Sequence, residues 1–272
     1  MKRRESIPSI LETEATGETA EIYSDIRKVL GTSVVNLIWR HLATMPGALQ
    51  WTWSTVRPLY LGSAPMHAEA VRRTLPLPES PGFSADTLAA AGWRPSDLTG
   101  IQNVLDSYLY TNALALVVLS AMLARFEPRA VDFAPPSDTA SPPPRVTIPE
   151  LPSMAALPPE VVRLVVELNG FGEDTEPSLI ASMYRHLAYW PSYLALVRTM
   201  LIPLEADGRL GALTRSTRAL AHAHGQMLAS QLTLSTPPKT GKEALAACRL
   251  FVEHPIARMT GLCAIIHRAT NG

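Results

Sequence analysis

The motif Arg-His-Leu-Ala occurs twice in the chain, at residues 40–43 and 185–188. Histidine suits proton transfer near neutral pH because its unperturbed pKa is about 6.5. Arginine can bind a carboxylate through two parallel hydrogen bonds. His41 and His186 are therefore candidate acid/base residues, and Arg40 and Arg185 are candidate binding groups for a carboxylic acid. Adjacent helical residues point about 100° apart, so an arginine and its neighbouring histidine cannot both face one pocket squarely.

Two other interpretations of the histidine pair stay open. His41 and His186, related by a repeat, could hold a metal ion or a haem between them. Against this, no HExxH motif and no Cys-x-x-Cys pair accompanies them. The motifs could also be structural, with the histidines bonded at helix ends or between helices. We expect no cofactor, and a metal ion or haem is the alternative.

The elements that carry these residues are predicted to be helices. Apolar residues recur with helical spacing after residue 16, and the same pattern covers 34–45, 98–125, 160–168, 179–189, 210–232 and 256–269. No Asn-Gly or Asp-Gly pair lies between two alternating apolar runs, so no β-hairpin is predicted. Asp207-Gly208 falls between helical patterns and predicts a turn between two helices. The predicted fold class is all-α.

Residues 127–159 separate two helical regions. Ten of the 24 prolines lie in this stretch, including the runs 135–136 and 142–144. Proline lacks a backbone donor and fixes φ, so we expect an extended linker here. The chain is thus divided into an N-terminal unit (1–126), a proline-rich linker (127–159) and a C-terminal unit (160–272).

The two units repeat each other at a constant offset of 145 residues. Beyond the shared motif, several residues match in one ungapped register: Ser33 with Ser178, Pro46 with Pro191, Pro58-Leu59 with Pro203-Leu204, Arg73 with Arg218 and Leu105 with Leu250. Two copies of one unit tend to pack as a twofold homodimer does. Because pockets favour such interfaces, we predict a pseudo-dimer with a ligand cleft between its halves. A homodimer of the whole chain is a further candidate assembly.

The composition of the chain argues against several classes of function. Lys plus Arg equals Asp plus Glu at 24 each, so no overall charge favours nucleic acid or an acidic membrane. The two cysteines lack a metal-binding spacing, which suits a reducing compartment. No secretory signal pattern is present, and the longest apolar run, 113–124, is too short to span a bilayer. We expect a soluble cytoplasmic protein that binds neither nucleic acid nor a membrane.

Several segments resemble the group I 2-haloacid dehalogenases, the DL-type enzymes that act on both enantiomers of 2-halocarboxylic acids. The similar segments are residues 16–18, 22–27, 42–47, 110–112, 187–191 and 265–267. The resemblance covers nearly the whole chain, in patches within each half. It implies a helical pseudo-dimer with one active site between the halves and a small carboxylic acid as substrate.

In that family a carboxylate activates a water molecule, which displaces halide at C2 with inversion, and an asparagine helps to hold the water. Asn112 matches that asparagine, and its partner across the repeat is Ala257. A single functional pocket on a pseudo-axis would be asymmetric in this way. Asn112 could otherwise be a hydrogen-bonded amide of the core.

The sequence departs from the family at the catalytic aspartate. The similarity through residues 187–191 places that aspartate at Met183, just after Ser182. Methionine cannot accept a proton, so the base must differ. His186 follows Met183 by three residues and shares its helix face, which makes His186 the candidate base. Two pocket positions that are aromatic in the family fall on Val34 and Leu37.

A few further residues have both a structural and a functional interpretation. Trp39 and Tyr184, paired by the repeat, either pack in the core or form pocket walls. Tyr108, on the helix of Asn112, either packs there or reaches the cleft. Asp174 and Glu176 precede a predicted helix, where the helix dipole favours acidic side chains, and a replacement base is the alternative.

The leading hypothesis is a divergent, hydrolase-like relative of the 2-haloacid dehalogenases with an altered base. Its catalytic residues would be His186, Asn112 and His41, and its substrate-binding residues Arg40, Arg185, Ser182, Met183, Val34, Leu37, Trp39 and Tyr184. The alternatives are a metal- or haem-binding protein that uses His41 and His186, and a catalytically silent ligand-binding homologue.

Overall fold

The computed structural model describes residues 7–127, 136, 139–173 and 179–271, and over these ranges the chain is all-helical, without a strand. This confirms the predicted fold class. The α-helices in the described part are α1 (Gly17–Leu30), α2 (Leu37–Leu42), α3 (Ala48–Leu61), α4 (Ala64–Thr74), α5 (Ala85–Ala90), α6 (Pro95–Phe126), α7 (Pro159–Leu168), α8 (Ser182–Leu187), α9 (Pro191–Ala206), α10 (Arg209–Ala229), α11 (Gly241–Phe251) and α12 (Ala257–Asn271).

Helix α6 forms the centre of the molecule. Pro95 opens it, and Arg94 and Asp97 form a reciprocal cap, with Asp97 Oδ2 accepting from the Arg94 backbone N–H at 3.1 Å. Its residues 113–119 are all almost completely buried, and the helix packs against α4, α10 and α12. Among the described residues it is the one helix long and apolar enough to cross a membrane, but it is mostly buried within the protein. The helix predicted over 98–125 is therefore confirmed, and it is a core helix.

A close approach between α6 and α10 joins the N-terminal and C-terminal units. A Cβ atom added at Gly225 of α10 would lie 2.6 Å from the Cβ of Ser120 and 2.7 Å from its carbonyl carbon. Only glycine allows the two backbones to approach this closely. The core of the molecule thus runs continuously through both units.

The helix boundaries of the two units correspond at the offset found in the sequence. Helix α2 begins and ends 145 residues before α8, at Leu37–Leu42 and Ser182–Leu187. Helices α3 and α9 contain the matched prolines Pro58 and Pro203 in their last turns. These correspondences support an internal duplication and a pseudo-dimer, which we retain as a proposal.

The described part of the proline-rich segment is non-helical up to Pro158, apart from a 3₁₀ turn at Met154–Ala156, and Pro159 already opens α7. It contacts both units in passing. In the N-terminal unit, Ser33 Oγ accepts from the Ile148 backbone N–H at 3.3 Å. In the C-terminal unit, the carbonyl of Pro152 accepts from Arg185 at 2.6 Å. This segment therefore forms part of the surroundings of α8.

Several predicted boundaries changed in the structure. The helix predicted over 34–45 is the short α2, and the helix predicted over 179–189 is the short α8. Helices α3, α4, α5, α9 and α11 were not predicted. The predicted turn at Asp207-Gly208 is confirmed, since Gly208 has φ 77° and lies between α9 and α10.

Candidate active site

A cavity of about 50 Å³ lies between the two units. That volume accommodates more than one water molecule. Its walls are mostly apolar, with a few polar groups, as is usual for small-ligand sites. The lining residues from the N-terminal unit are Val34, Asn36, Leu37, Ile38, Tyr108 and Asn112, and those from the C-terminal unit are Leu179, Ile180, Ala181, Ser182, Met183, Phe251, Pro255, Ile256 and Met259.

Five of the residues that the sequence predicted for the site line this cavity. They are Val34, Leu37, Asn112, Ser182 and Met183. The other predicted site residues are not part of the wall: Arg40, Arg185, His41, His186, Trp39 and Tyr184. Among the described lining residues, none carries a carboxylate or an imidazole.

A buried asparagine fixes the C-terminal wall. Asn169 Nδ2 donates to the carbonyl of Leu179 at 2.7 Å, and its Oδ1 accepts from the Ala181 backbone N–H at 2.8 Å. Arg258 donates to the carbonyl of Asn169 at 2.6 Å. This network holds the extended residues 179–181 in place, and so it sets where α8 begins, at Ser182.

A π-helical segment, Val252–Ile256, forms part of the cavity wall. Pro255 lies inside it, and a proline has no N–H to donate to the helix ladder. Such one-turn π segments recur at functional sites because they re-aim side chains. Here Pro255 and Ile256 both line the cavity, just before Ala257 opens α12.

A hydrogen bond joins the cavity wall to the histidine behind it. The Tyr108 hydroxyl lies 2.7 Å from Nδ1 of His186, and Nε2 of the same ring lies 3.0 Å from the carbonyl of Pro149. A carbonyl only accepts, so the neutral ring carries its proton on Nε2 and Nδ1 accepts from Tyr108. His186 therefore meets the cavity through the hydroxyl of Tyr108.

Burial sets the ionisation of this pair. It lowers the pKa of His186 to about 4; the bond to Pro149 opposes this shift, and the charges of Arg185 and Arg40 add to it. Burial raises the pKa of Tyr108 well above its usual value, although the two arginines oppose this. At neutral pH the pair is thus a neutral imidazole that accepts from a neutral phenol.

Arg40 lies behind the same wall and is only 4% exposed. Its hydrogen bond to Ser182 Oγ is long, at 3.4 Å, and its Nε is buried without a partner among the described residues. No carboxylate in the described part of the chain forms an ion pair with it. A buried cation without an anion is costly, so an anionic ligand would stabilise it.

Arg185 has a different environment. Its Nε and Nη2 both donate to the carbonyl of Pro152, at 3.0 and 2.6 Å. Burial lowers its pKa, and the nearby charge of Arg40 acts in the same direction. Arg185 is therefore a second positive charge near the site, with its donors directed at the proline-rich segment.

The remaining predicted residues lie away from the cavity. His41 Nδ1 bonds the carbonyl of Pro8 at 2.8 Å, and its ring stacks on Phe251 at 5.9 Å. Trp39 packs edge-on against Trp53 in the core of the N-terminal unit. Tyr184 is fully buried, and its hydroxyl has no partner among the described residues. These three side chains are therefore not placed to contact a ligand in the cavity directly.

The structure does not support the metal or haem alternative. Both ring nitrogens of His186 already have protein partners, so a metal would have to replace one of them. Within the described ranges, no group of three or more potential metal-binding side chains is present. Asp174 and Glu176, the alternative bases considered from the sequence, lie outside the described residues.

Sequence reasoning missed Asn36 and left the role of Tyr108 undecided. Asn36 immediately precedes α2, a position where asparagine usually caps a helix. Its Nδ2 instead lies 3.3 Å from Thr111 Oγ1 and 3.4 Å from Asn112 Oδ1. No pattern in the sequence reveals that residues 36 and 111–112 meet.

The chain is similar in sequence to a known enzyme over nearly its whole length. A configuration-inverting 2-haloacid dehalogenase from Alcaligenes xylosoxydans xylosoxydans is 26% identical over 275 residues, which cover 96% of this chain and 88% of that protein. No family model matches the chain.

Solved structures of D-2-haloacid dehalogenase share the fold. The complex with L-LA matches with a TM-score of 0.73 at 19% identity, covering 97% of this chain and 95% of that one. The complex of a mutant with D-2-CPA matches with a TM-score of 0.71 at 20% identity, with the same coverage. The chain is thus homologous to a configuration-inverting 2-haloacid dehalogenase.

Proposed function

We propose that this protein is a hydrolytic enzyme, related to the 2-haloacid dehalogenases, that acts on a small 2-substituted carboxylic acid in the cavity between its two units. The observation that carries the proposal is that Asn112, which matches the water-holding asparagine of that family, lines this cavity together with Ser182 and Met183. The sequence similarity to a configuration-inverting dehalogenase supports it.

The acid group of the substrate would lie at the Ser182 end of the cavity. Arg40 bonds Ser182 Oγ and keeps an unused donor at Nε, and Arg185 adds a second positive charge nearby. A carboxylate there would neutralise a buried cation, which is the strongest electrostatic complement available in the described site. The apolar side chains of Val34, Leu37 and Met183 would then surround C2 and its substituent.

The proton of the attacking water would reach His186 through Tyr108. The water oxygen bonds to C2 as the carbon–halogen bond breaks and halide leaves with the bonding electrons. One water proton passes to the oxygen of Tyr108, while the Tyr108 proton passes to Nδ1 of His186. The products are a 2-hydroxy acid, halide and an imidazolium, which later returns its proton to solvent.

A histidine with a pKa of about 4 is adequate for this role. An ordinary aspartate has a pKa of about 3.9, so the two groups have similar strength as proton acceptors. His186 could therefore stand in for the carboxylate that the family resemblance places at Met183. The divergent base remains part of the proposal.

Halide release tests the proposed function. The substrates are the separate enantiomers of 2-chloropropionate and 2-bromopropionate, with N112A as the test variant. We expect release by the wild type and a loss of at least about 100-fold in N112A, as for removal of one positioned polar group. N271A, an exposed asparagine at the end of α12, is the matched control and should keep the wild-type rate.

Absence of halide release from all four compounds by the wild type would contradict the enzymatic proposal for these substrates. Binding of propionate without turnover would then favour the catalytically silent, ligand-binding alternative. An unchanged rate of halide release in N112A would contradict the assignment of Asn112 to the site.

A further inference from the structure

Asn36 occupies a helix cap but does not use its side chain to cap. Asparagine at this position usually accepts a hydrogen bond from a backbone N–H of the first turn. In α2 no such bond is present, although Asn36 is the residue immediately before Leu37. The amide of Asn36 is turned instead towards α6, and it lines the cavity.

The neighbours of Asn36 fix which way its amide faces. Thr111 Oγ1 donates its single proton to the carbonyl of Ser107 at 2.8 Å, so it can only accept from Asn36. Nδ2 of Asn36 must therefore face Thr111, at 3.3 Å. The same Nδ2 lies 3.4 Å from Asn112 Oδ1, which leaves Nδ2 of Asn112 as the free donor of that amide.

This arrangement leaves Oδ1 of Asn36 as an acceptor without a donor. It is buried and has no hydrogen-bond partner among the described residues. An unsatisfied buried acceptor is costly, so such groups usually have a protein, ligand or water partner. A halogen substituent cannot donate a hydrogen bond, whereas a water molecule or a hydroxyl group can.

We propose that Asn36 is a catalytic residue that holds the attacking water molecule through Oδ1. This inference rests on the proposed function of the cavity. The water would donate one proton to Asn36 Oδ1 and the other to Tyr108, and would accept from Asn112 Nδ2. Its second lone pair would then face C2 of the substrate, which is the orientation that displacement requires.

The reaction product would bind at the same site. The hydroxyl oxygen of a 2-hydroxy acid is the former water oxygen, so it would occupy the same position. Its remaining proton would be donated to Asn36 Oδ1. Lactate should therefore depend on Asn36 for binding, whereas propionate, which has no hydroxyl group, should not.

The test measures both turnover and binding in the full-length protein. In N36A we expect kcat for halide release from 2-chloropropionate to fall at least about 100-fold, with KM changed less than about threefold. Calorimetric titration should show lactate binding weakened about tenfold and propionate binding unchanged within about twofold. Thermal unfolding of each variant verifies the fold.

A second set of variants changes Thr111, which orients the amide of Asn36 but does not line the cavity. T111V removes the acceptor that orients Asn36 and should weaken lactate binding, as N36A does. T111S keeps the hydroxyl group and should bind lactate as the wild type does. T217V is the matched control, because Thr217 makes the same bond to a carbonyl one turn earlier but is not the residue that Asn36 bonds.

The outcomes separate this inference from the proposed function. Halide release by the wild type with an unchanged kcat and an unchanged lactate-to-propionate ratio in N36A would overturn the role of Asn36 alone. No halide release, but a selective loss of lactate binding in N36A, would overturn the enzymatic proposal and keep the hydroxyl site. No measurable lactate binding by the wild type would overturn the site itself.

Discussion

The Tyr108 hydroxyl and Nδ1 of His186 lie 2.7 Å apart, across the boundary between the two units of the chain. Tyr108 belongs to α6, and His186 belongs to α8. The carbonyl of Pro149 holds the opposite ring nitrogen, so the direction of the Tyr108 bond is determined. A polar group on the cavity wall is thereby connected to a buried imidazole that does not itself reach the cavity.

Replacing Tyr108 tests that connection. Y108F should reduce halide release about 100-fold or more, since general acid–base contributions are typically 10²–10⁴-fold. Propionate binding should change little, because the phenol is not assigned to the carboxylate. Y60F is the control: the hydroxyl of Tyr60 is also buried, but it has no partner among the described residues and lies outside the cavity lining. Equal losses in both variants would contradict the relay.

The pH dependence of turnover follows from the lowered pKa of His186. The ring accepts a proton only when neutral, and its pKa is about 4. Turnover should therefore be independent of this group at neutral pH and fall as the pH drops through about 4. A rate profile of kcat between pH 3.5 and 8 measures this. A loss of activity centred near 6.5 would mean that the base is an ordinary, solvated histidine.

Arg40 should contribute to binding but not to stability. R40M should weaken binding of 2-chloropropionate about 10- to 100-fold, because hydrogen bonds to charged groups contribute about 1.5–3 kcal/mol. Binding of the neutral 2-chloropropionamide should be unaffected. The melting temperature should stay the same or rise, since an apolar side chain replaces a buried, unpaired charge. A large drop in the melting temperature would identify Arg40 as a structural residue.

Met183 offers a gain-of-function test. M183D would place a carboxylate on the cavity wall, where the family resemblance puts the catalytic base. We expect halide release to rise about tenfold or more, because this base would contact the water directly. M183N has nearly the same shape but cannot accept the proton, so it should show no gain. Equal rates in M183D and M183N would contradict the placement of the base at this position.

A pair of buried histidines should make the fold sensitive to acid. Nδ1 of His67 lies 3.0 Å from Nδ1 of His224, and burial, together with His224, lowers the pKa of His67 to about 4. The unfolded chain protonates near 6.5, so it binds more protons than the folded chain between these values. The free energy of unfolding should therefore be highest above pH 6.5 and should decrease as the pH falls towards 4.

Urea unfolding between pH 4 and 7 measures the effect. The expected loss is roughly 3 kcal/mol at most for His67, and His186 should add a similar amount. H67Q should show a shallower dependence on pH. H222Q changes a half-exposed histidine on α10, the helix of His224, and should retain the wild-type slope. An unfolding free energy that is constant across this range would rule out the histidine effect.

The sequence alone determined the fold class and much of the helix layout. Apolar periodicity is a local property, so the core helix α6 and the helices α7, α10 and α12 were predicted within a few residues. Helices α3 and α9 escaped prediction because each contains a proline, which is tolerated near the end of a helix but normally signals its interruption.

The sequence also identified five residues of the cavity wall, through the resemblance at Asn112 and at residues 182–183. What it could not determine was which polar atoms meet across long separations. Asn36 reaches Thr111 and Asn112 only because α2 packs beside α6, and Tyr108 reaches His186 only because the two units associate. The sequence specifies the chemical type of each side chain. Its hydrogen-bond partners and its burial, and hence its pKa, are determined by tertiary packing.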